Sequence, residues 1–441
     1  MLSKSTPGRA SLAAAMLSAA LATGPAGAQH GGPTPDPELP RPEEAGPPAP
    51  PLLRPVPFEE LPGWVSEGHA EILPALQASC AAIRPMRPEA VLGGQGEAAI
   101  RAGTPTAWTA ICQELRILER RLPRPLRPGT GRAHERRVAA WLAERHLAVR
   151  QFLEQHFEPF AAGTGIMTGY YEPILRGSTT PDETFRTPLL ARPPELVEQP
   201  VNGNPLRRRY GMMVDGRIEP FFDRAAIDTG VLAGRGLELV WVDDAADAFF
   251  LHIQGSGRVV LPGGEVLRMG FAGHNGRAYV SIGRLLIERG EVPREQMSMQ
   301  AIRAWLASAG QDRASELLRG NPSYVFFRRV EGLTLDQGPI GALGVPLTPQ
   351  RSVAVDRAFI PLGTPMFVTV RDPAARRDAP PSGRLVVAQD TGGAIRGPAR
   401  TDYFWGWGPE AGDRAGRMRD ESEVFVLLPR AIEVAAAREG R

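Results

Sequence analysis

This sequence predicts a mainly β architecture with flanking helices, of mixed α+β class. Gly 49 and Pro 44 make up roughly a fifth of the 441 residues, against a usual sum of about 12%, which favours short strands and frequent turns. From residue 161 onward, short apolar runs are separated by those two residue types. The length predicts two domains, or one domain with a large insertion. With 42% hydrophobic and 23% charged residues the chain can bury a core large enough to offset its entropy. A formal net charge of +2, from 51 basic and 49 acidic residues, leaves no single-sign field of the kind nucleic acid demands.

Residues 1–28 have the layout of a secretory signal peptide. Lys4 and Arg9 precede the apolar stretch from Leu12 to Leu21, and Ala26-Gly27-Ala28 offers a small-residue cleavage site. The apolar run is shorter than the roughly 20 residues a membrane-spanning helix needs. An exported, periplasmic chain beginning near Gln29 is expected, with peripheral attachment at the outer membrane left open. No Cys follows the apolar run to accept a lipid. Residues 29–57 read as a Pro-rich linker.

Helical spacing follows over Ala70 to Ala82, Thr106 to Leu118 and Arg137 to Phe157. Cys80 and Cys112 fall in the first two of these. A lone pair of cysteines in an exported chain predicts a disulfide, and without two further ligands nearby it predicts no metal site. Strands are expected at Gly165 to Tyr171, Leu237 to Val242, Ala248 to Ile253 and Val259 to Leu261. A helical interval spans Tyr279 to Leu318, with Ser298 capping the helix that begins beyond it. Strands resume at Tyr324 to Arg328, Ser352 to Val355, Met366 to Val370, Leu385 to Gln389 and Val424 to Leu428, and Arg371 to Gly383 is a loop.

Three clusters carry the chemistry. In the first, the apolar run Val387-Ala388-Gln389 ends in Asp390-Thr391-Gly392-Gly393, where glycines let the backbone approach a ligand closely. Twelve residues on, Asp402 is followed by Tyr403, Phe404, Trp405 and Trp407. Acid, aromatic and glycine together suit a carbohydrate groove, because sugar C–H faces stack on aromatic rings. The second cluster is Thr168-Gly169-Tyr170-Tyr171-Glu172-Pro173. In the third, Phe249 to Arg258, Gln254 and Ser256 lie beside Gly255 and Gly257 and offer donors and acceptors to amide and hydroxyl groups. Strand alternation would place His252 and Gln254 on one face, with His252 a packed or surface residue rather than a ligand.

These clusters and their order resemble the membrane-bound lytic transglycosylase A family, whose C-terminal part is described by three aspartates. Matching segments include Thr168 to Pro173, His252 to Arg258, Gly273-His274-Asn275-Gly276-Arg277, Asn321-Pro322-Ser323-Tyr324, Gly344 to Pro365, Asp390 to Ile395, Asp402 and Gly408-Pro409-Glu410-Ala411-Gly412. The resemblance implies a double-psi β-barrel catalytic domain built from 58–172 and 291–441. It also implies an inserted β-rich substrate-binding domain at 173–290, with the groove between the two. The family aspartates map to Asp356, Asp390 and Asp402. Asp402 would be the acid/base, Asp390 a neighbour that tunes it, and Asp356 structural. Thr168, Gln254 and Ser256 would line the groove, and Tyr171, Glu172, Gly257, Gly392, Gly393 and Trp405 complete the expected substrate-binding set.

The activity so implied is lytic cleavage of peptidoglycan glycan strands at the β-1,4 bond between N-acetylmuramic acid and N-acetylglucosamine. It would leave 1,6-anhydromuramic ends, with one Asp as acid/base and no cofactor or metal. Whether cell-wall synthesis or division proteins engage the chain stays open. A muramidase using Asp390 and Asp402 as two carboxylates, and a noncatalytic wall-binding protein, are the alternatives. An aspartic protease is suggested by Asp-Thr-Gly at both 228–230 and 390–392. It is disfavoured because Phe221 to Ile227 suits a short helix rather than a strand.

Overall fold

The computed structural model describes residues 53–201, 204–376 and 378–430; the expected signal peptide and all but the end of the linker lie outside them. A short strand, β1 (Arg54–Pro55), leads into four helices, α1 (Leu73–Ile83), α2 (Gly96–Ala102), α3 (Thr109–Arg121) and α4 (Arg132–His156). Three of them, α1, α3 and α4, lie where apolar spacing put helices. Cys80 on α1 and Cys112 on α3 form a disulfide that closes a separation of 32 residues.

The long strand β2 (Phe157–Glu172) follows α4 without a loop, and after Pro173 the chain enters a second sheet through β3 (Ile174–Ser178) and β4 (Thr187–Leu190). A separate three-stranded ribbon comprises β5 (Val197–Val201), β6 (Asn204–Val214) and β7 (Arg217–Glu219). Beyond α5 (Arg224–Asp228) come β8 (Glu238–Val242), α6 (Ala245–Gln254), β9 (Ser256–Val260) and β10 (Val266–His274). The helices α7 (Ile282–Glu288), α8 (Met299–Ser308) and α9 (Gln311–Arg319) precede β11 (Val325–Arg329). Ser298 does cap α8, its hydroxyl accepting the N–H of Ala301 at 3.1 Å. The second sheet runs β11-β10-β9-β3-β8-β4.

One expectation fails here. The segment 248–253 is not a strand but most of α6, which begins on Asp244, whose carboxylate accepts the N–H groups of Ala246 and Asp247, and ends on Gly255 at φ 78°. A capping Asp and a left-handed glycine eleven residues apart are helix boundaries, and they outweigh the local β character of Phe249, Phe250 and Ile253. At helical spacing His252 and Gln254 no longer share a face. His252 is 7% exposed, packed between the rings of Tyr324 and Phe327, and its Nδ1 lies 3.0 Å from Arg224 Nη2.

The remaining strands, β12 (Ser352–Val355), β13 (Pro365–Val370), β14 (Ser382–Asp390), β15 (Thr401–Trp407) and β16 (Arg419–Pro429), join β2 in a barrel, with α10 (Gly408–Arg417) packed on its wall. The ring order is β2-β15-β12-β14-β13-β16, and β16 pairs back onto β2 to close it. Two ring pairings, β2 with β15 and β12 with β14, are parallel, so the strands are linked by crossovers rather than by hairpins alone. A contiguous core that includes Met167, Val353, Val355, Phe367, Val387, Tyr403 and Val426 fills the barrel and continues under the N-terminal helices. β11, beyond the expected boundary at 290, pairs with β10 and so belongs to the second sheet. No helix among the described residues is long and apolar enough to cross a membrane.

The disulfide ties α1, which lies on the barrel, to α3. Replacing both cysteines by Ser should lower stability by roughly 4 kcal/mol, from loop-closure entropy over a loop of this length, read as an earlier midpoint in a urea titration of the oxidised protein.

A paired-aspartate candidate active site on the barrel wall

Asp390 ends β14 and Asp402 is the second residue of β15, and both strands flank β12. Ala354 of β12 is the register partner of both acids. A regular ladder would place Gln389 opposite Ala354 and turn Asp390 to the other face of the wall. Instead the register shifts between Val353 and Ala354, Gln389 is skipped, and Asp390 arrives on the face that carries Asp402. The skipped side chain is fully buried and satisfied. Its amide donates to the Ala75 carbonyl at 2.8 Å and to Ser79 Oγ at 2.9 Å, and accepts from Ser352 Oγ at 2.5 Å. Two strand spacings separate the acids, roughly 10 Å between Cα atoms.

The parallel neighbour β2 sets Thr168 opposite Asp402 and Tyr170 opposite Phe404. Thr168 Oγ1 donates to Asp402 Oδ1 at 2.6 Å while accepting from Arg400 Nη2 at 2.8 Å. Among the described residues no donor reaches Asp402 Oδ2. Asp390 is more fully engaged: Oδ1 accepts the N–H groups of Ala342 and Thr391, both at 2.9 Å, and Oδ2 accepts the Tyr170 hydroxyl at 3.0 Å. Loss of hydration pushes both carboxyls up to about 6. At Asp390 three hydrogen bonds work against that rise, and at Asp402 the Thr168 hydroxyl and the Arg400 charge do so, while the negative charge of Asp390 adds to it.

Other expected site residues are distributed differently. Gly169 and Tyr171 alternate with Thr168 and Tyr170 and so face away from the acids. On that side they line a cavity of about 190 Å³ with Phe250, Gln254, Ser281 and Met299. Gln254 Oε1 accepts the Tyr171 N–H at 3.1 Å. Ser256 is half-buried at the start of β9, and Gly257 is buried where a Cβ would stand 2.4 Å from a Leu251 methyl, which is a packing requirement. Gly393 is exposed with open space before it, whereas a Cβ on Gly392 would press on Ile395 at 2.9 Å. Asp356 is buried and accepts the N–H groups of Ala358 and Gly397, which pins the loop after Asp390.

Glu172 and Trp405, both expected in the substrate-binding set, have buried side chains engaged by other protein groups. The Glu172 side chain is 1% exposed and is held by Arg258 at 2.8 Å and Arg268 at 2.8 Å. Trp405 is 5% exposed, edge-on to Tyr403, with its indole N–H on Met418 Sδ. The site residues missed from sequence are Tyr170, Arg400 and Ala342, which hold the two acids. Tyr170 and Arg400 each carried a signal, being two residues from a member of the expected site. Ala342 contributes only its backbone and carried none.

Two family models match the chain, the MltA specific insert domain over residues 166–328 and the 3D domain over 351–428. A crystal structure of a membrane-bound lytic murein transglycosylase from Agrobacterium tumefaciens is 35% identical, with a TM-score of 0.68 over 86% of this chain and 98% of that one. The chain belongs to the membrane-bound lytic murein transglycosylase A family. A second family structure, MltA from Neisseria gonorrhoeae, is 30% identical with a TM-score of 0.65, covering 86% of this chain and 92% of that one. Escherichia coli MltA with bound chitohexaose is 33% identical, with a TM-score of 0.54 over 66% of this chain and 81% of that one. Membrane-bound lytic murein transglycosylase A of Vibrio cholerae is 36% identical over 270 residues, 60% of this chain and 66% of the relative. The matched stretch therefore spans just under two thirds of that curated family member.

Removing the carboxylate beneath this site should be costly. Glu172→Ala leaves two buried guanidinium groups without a counter-charge and should destabilise the protein by on the order of 3–5 kcal/mol, measured by chemical denaturation.

Proposed function

We propose that this chain cleaves peptidoglycan glycan strands by the lytic route, with Asp402 as the single acid/base. The observation that carries the assignment is the asymmetry of the two carboxyls. Among the described residues Asp402 has one hydrogen bond and no donor on Oδ2, whereas Asp390 is held by three donors. A proton on Asp402 Oδ2 is free to meet a glycosidic oxygen, whereas both Asp390 oxygens are engaged, and negative charge on Asp390 raises its neighbour's proton affinity. The family membership and the oligosaccharide bound to the E. coli relative support a glycan substrate.

In the proposed reaction, neutral Asp402 gives its Oδ2 proton to the oxygen of the β-1,4 bond as the bond to muramic acid C1 breaks. The C6 hydroxyl of the same muramic acid then closes on C1, and the Asp402 carboxylate takes the hydroxyl proton. No water is consumed, and the enzyme returns to its starting protonation state. Thr168, itself held by Arg400, steadies the carboxylate that forms between the two transfers. A hydrolytic mechanism would require a second carboxylate free to attack or to activate water, and the Asp390 oxygens are already occupied. We take the segment after Pro173 to be the second wall of the groove, and export to the periplasm to be the setting in which the substrate is met.

Asp402→Asn should lower release of anhydromuropeptides from purified sacculi by at least about 100-fold, followed by mass spectrometry. Reducing ends in place of anhydro ends in the wild-type digest would instead point to the two-carboxylate muramidase.

Because the acid must be protonated to donate, activity should fall as pH rises through about 6. The Thr168 hydrogen bond and the Arg400 charge favour the charged carboxylate, so Thr168→Val should move that alkaline limb to higher pH, seen in kcat/KM against pH.

A further inference from the structure

Beyond Phe404, β15 does something its sequence pattern alone does not announce. Gly406 takes φ 113°, and the register against β2 shifts between Phe404 and Trp407. One residue is skipped, so Trp407 pairs with Glu172, as Asp402 pairs with Thr168 and Phe404 with Tyr170. Thr168, Tyr170 and Glu172 alternate onto one face of β2, and their partners share it. Trp407 therefore stands on the same face as Asp402, four β2 residues along, or roughly 13 Å.

The indole there is braced from below. The Arg258 guanidinium sits over the ring, 4.3 Å from its centroid. Arg258 is itself fixed by Glu172 at 2.8 Å, by the Leu335 carbonyl at 2.6 Å and by the Gln337 carbonyl at 2.9 Å. A cation held against one face of an aromatic ring orients the ring and leaves the opposite face for another partner. Trp407 is only half-buried, and two exposed apolar residues adjoin its neighbours Gly408 and Arg258. Ile174 is 44% exposed with its Cδ1 against Gly408, and Leu335 is 66% exposed on the loop that caps Arg258. An oriented, part-exposed indole with aliphatic side chains nearby, on the same strand face as Asp402 but beyond the buried Phe404, has the chemistry of a sugar-stacking surface.

We propose that Trp407 is a stacking platform for a saccharide of the glycan strand at a distal subsite of the same groove, with Arg258 and Glu172 as the positioning residues that hold it flat. This rests on the glycan-cleaving function proposed for the chain. It also gives the buried Glu172 pair a task, since losing it would free the ring that the strand must find in place.

The test is calorimetric titration of chitohexaose into the full chain carrying Asp402→Asn, compared with the same chain also carrying Trp407→Ala or Trp407→Phe. The expected result is about tenfold weaker binding with Ala, partial recovery with Phe, and unchanged melting temperature for the Phe variant. Indole fluorescence of the parent should change on adding chitohexaose, and that change should shrink in the Phe variant. Equal chitohexaose affinity in all three proteins, with the parent binding normally, would overturn the subsite alone. No chitohexaose binding by the parent would instead remove the glycan function, and the subsite with it.

Discussion

Two carboxyl groups on one half-buried face of a β-barrel wall repel ionisation, and that cost of charging shapes the whole site. Each acid alone would simply become neutral as hydration is removed. The wall separates their fates by distributing donors unequally. Two backbone N–H groups and a tyrosine hydroxyl converge on Asp390, while one threonine hydroxyl reaches Asp402. The result is a pair whose members differ in how readily they can release a proton toward a ligand, even though burial lifts both.

That arrangement depends on one skipped residue. Gln389 is the fulcrum: its amide is bonded to Ala75 and Ser79 on α1 and to Ser352 on β12, so the bulge is held from the helical layer outside the barrel. Cys80, next to Ser79, is bonded to Cys112 on α3. The N-terminal helices thus do more than cover apolar surface. They hold α1 where it must be for Asp390 to face the same way as Asp402, which links a covalent bond far from the acids to the geometry of the site.

Much of this was legible from the residues. Short apolar runs between Gly and Pro marked five of the six ring strands, all but β15, and helical spacing marked α1, α3 and α4, because burial on one side leaves a period in the sequence. Asp390 and Asp402 stood out because acids at strand ends beside glycine or aromatics are hard to explain by packing. Local composition misled where a boundary signal or a partner decided the outcome. The α6 segment looked like a strand until its cap and terminal glycine were weighed together. Trp405 and Trp407 are two residues apart and look equivalent by alternation, but the left-handed Gly406 inserts a bulge and sends one into the core and the other to the surface. Glu172 looked like a ligand contact because its arginine partners are 86 and 96 residues away in sequence.

Glu172 is the last residue of β2, so it belongs to the barrel, yet Arg258 and Arg268 belong to β9 and β10 of the second sheet. Guanidinium groups from the second sheet also bond the carbonyls of Thr334, Leu335 and Gln337 in the chain that returns to the barrel. A buried ion cluster is a weak source of net stability, since desolvation offsets most of the attraction, and an apolar contact of equal size would hold the sheets together as well. What an apolar contact lacks is direction. Charged hydrogen bonds in a fork geometry fix angle as well as distance, and Pro173, immediately after Glu172, limits how far the chain can pivot there. Charge at this junction therefore sets the angle between the acid-bearing wall and the second sheet, which an apolar contact of equal size would leave free.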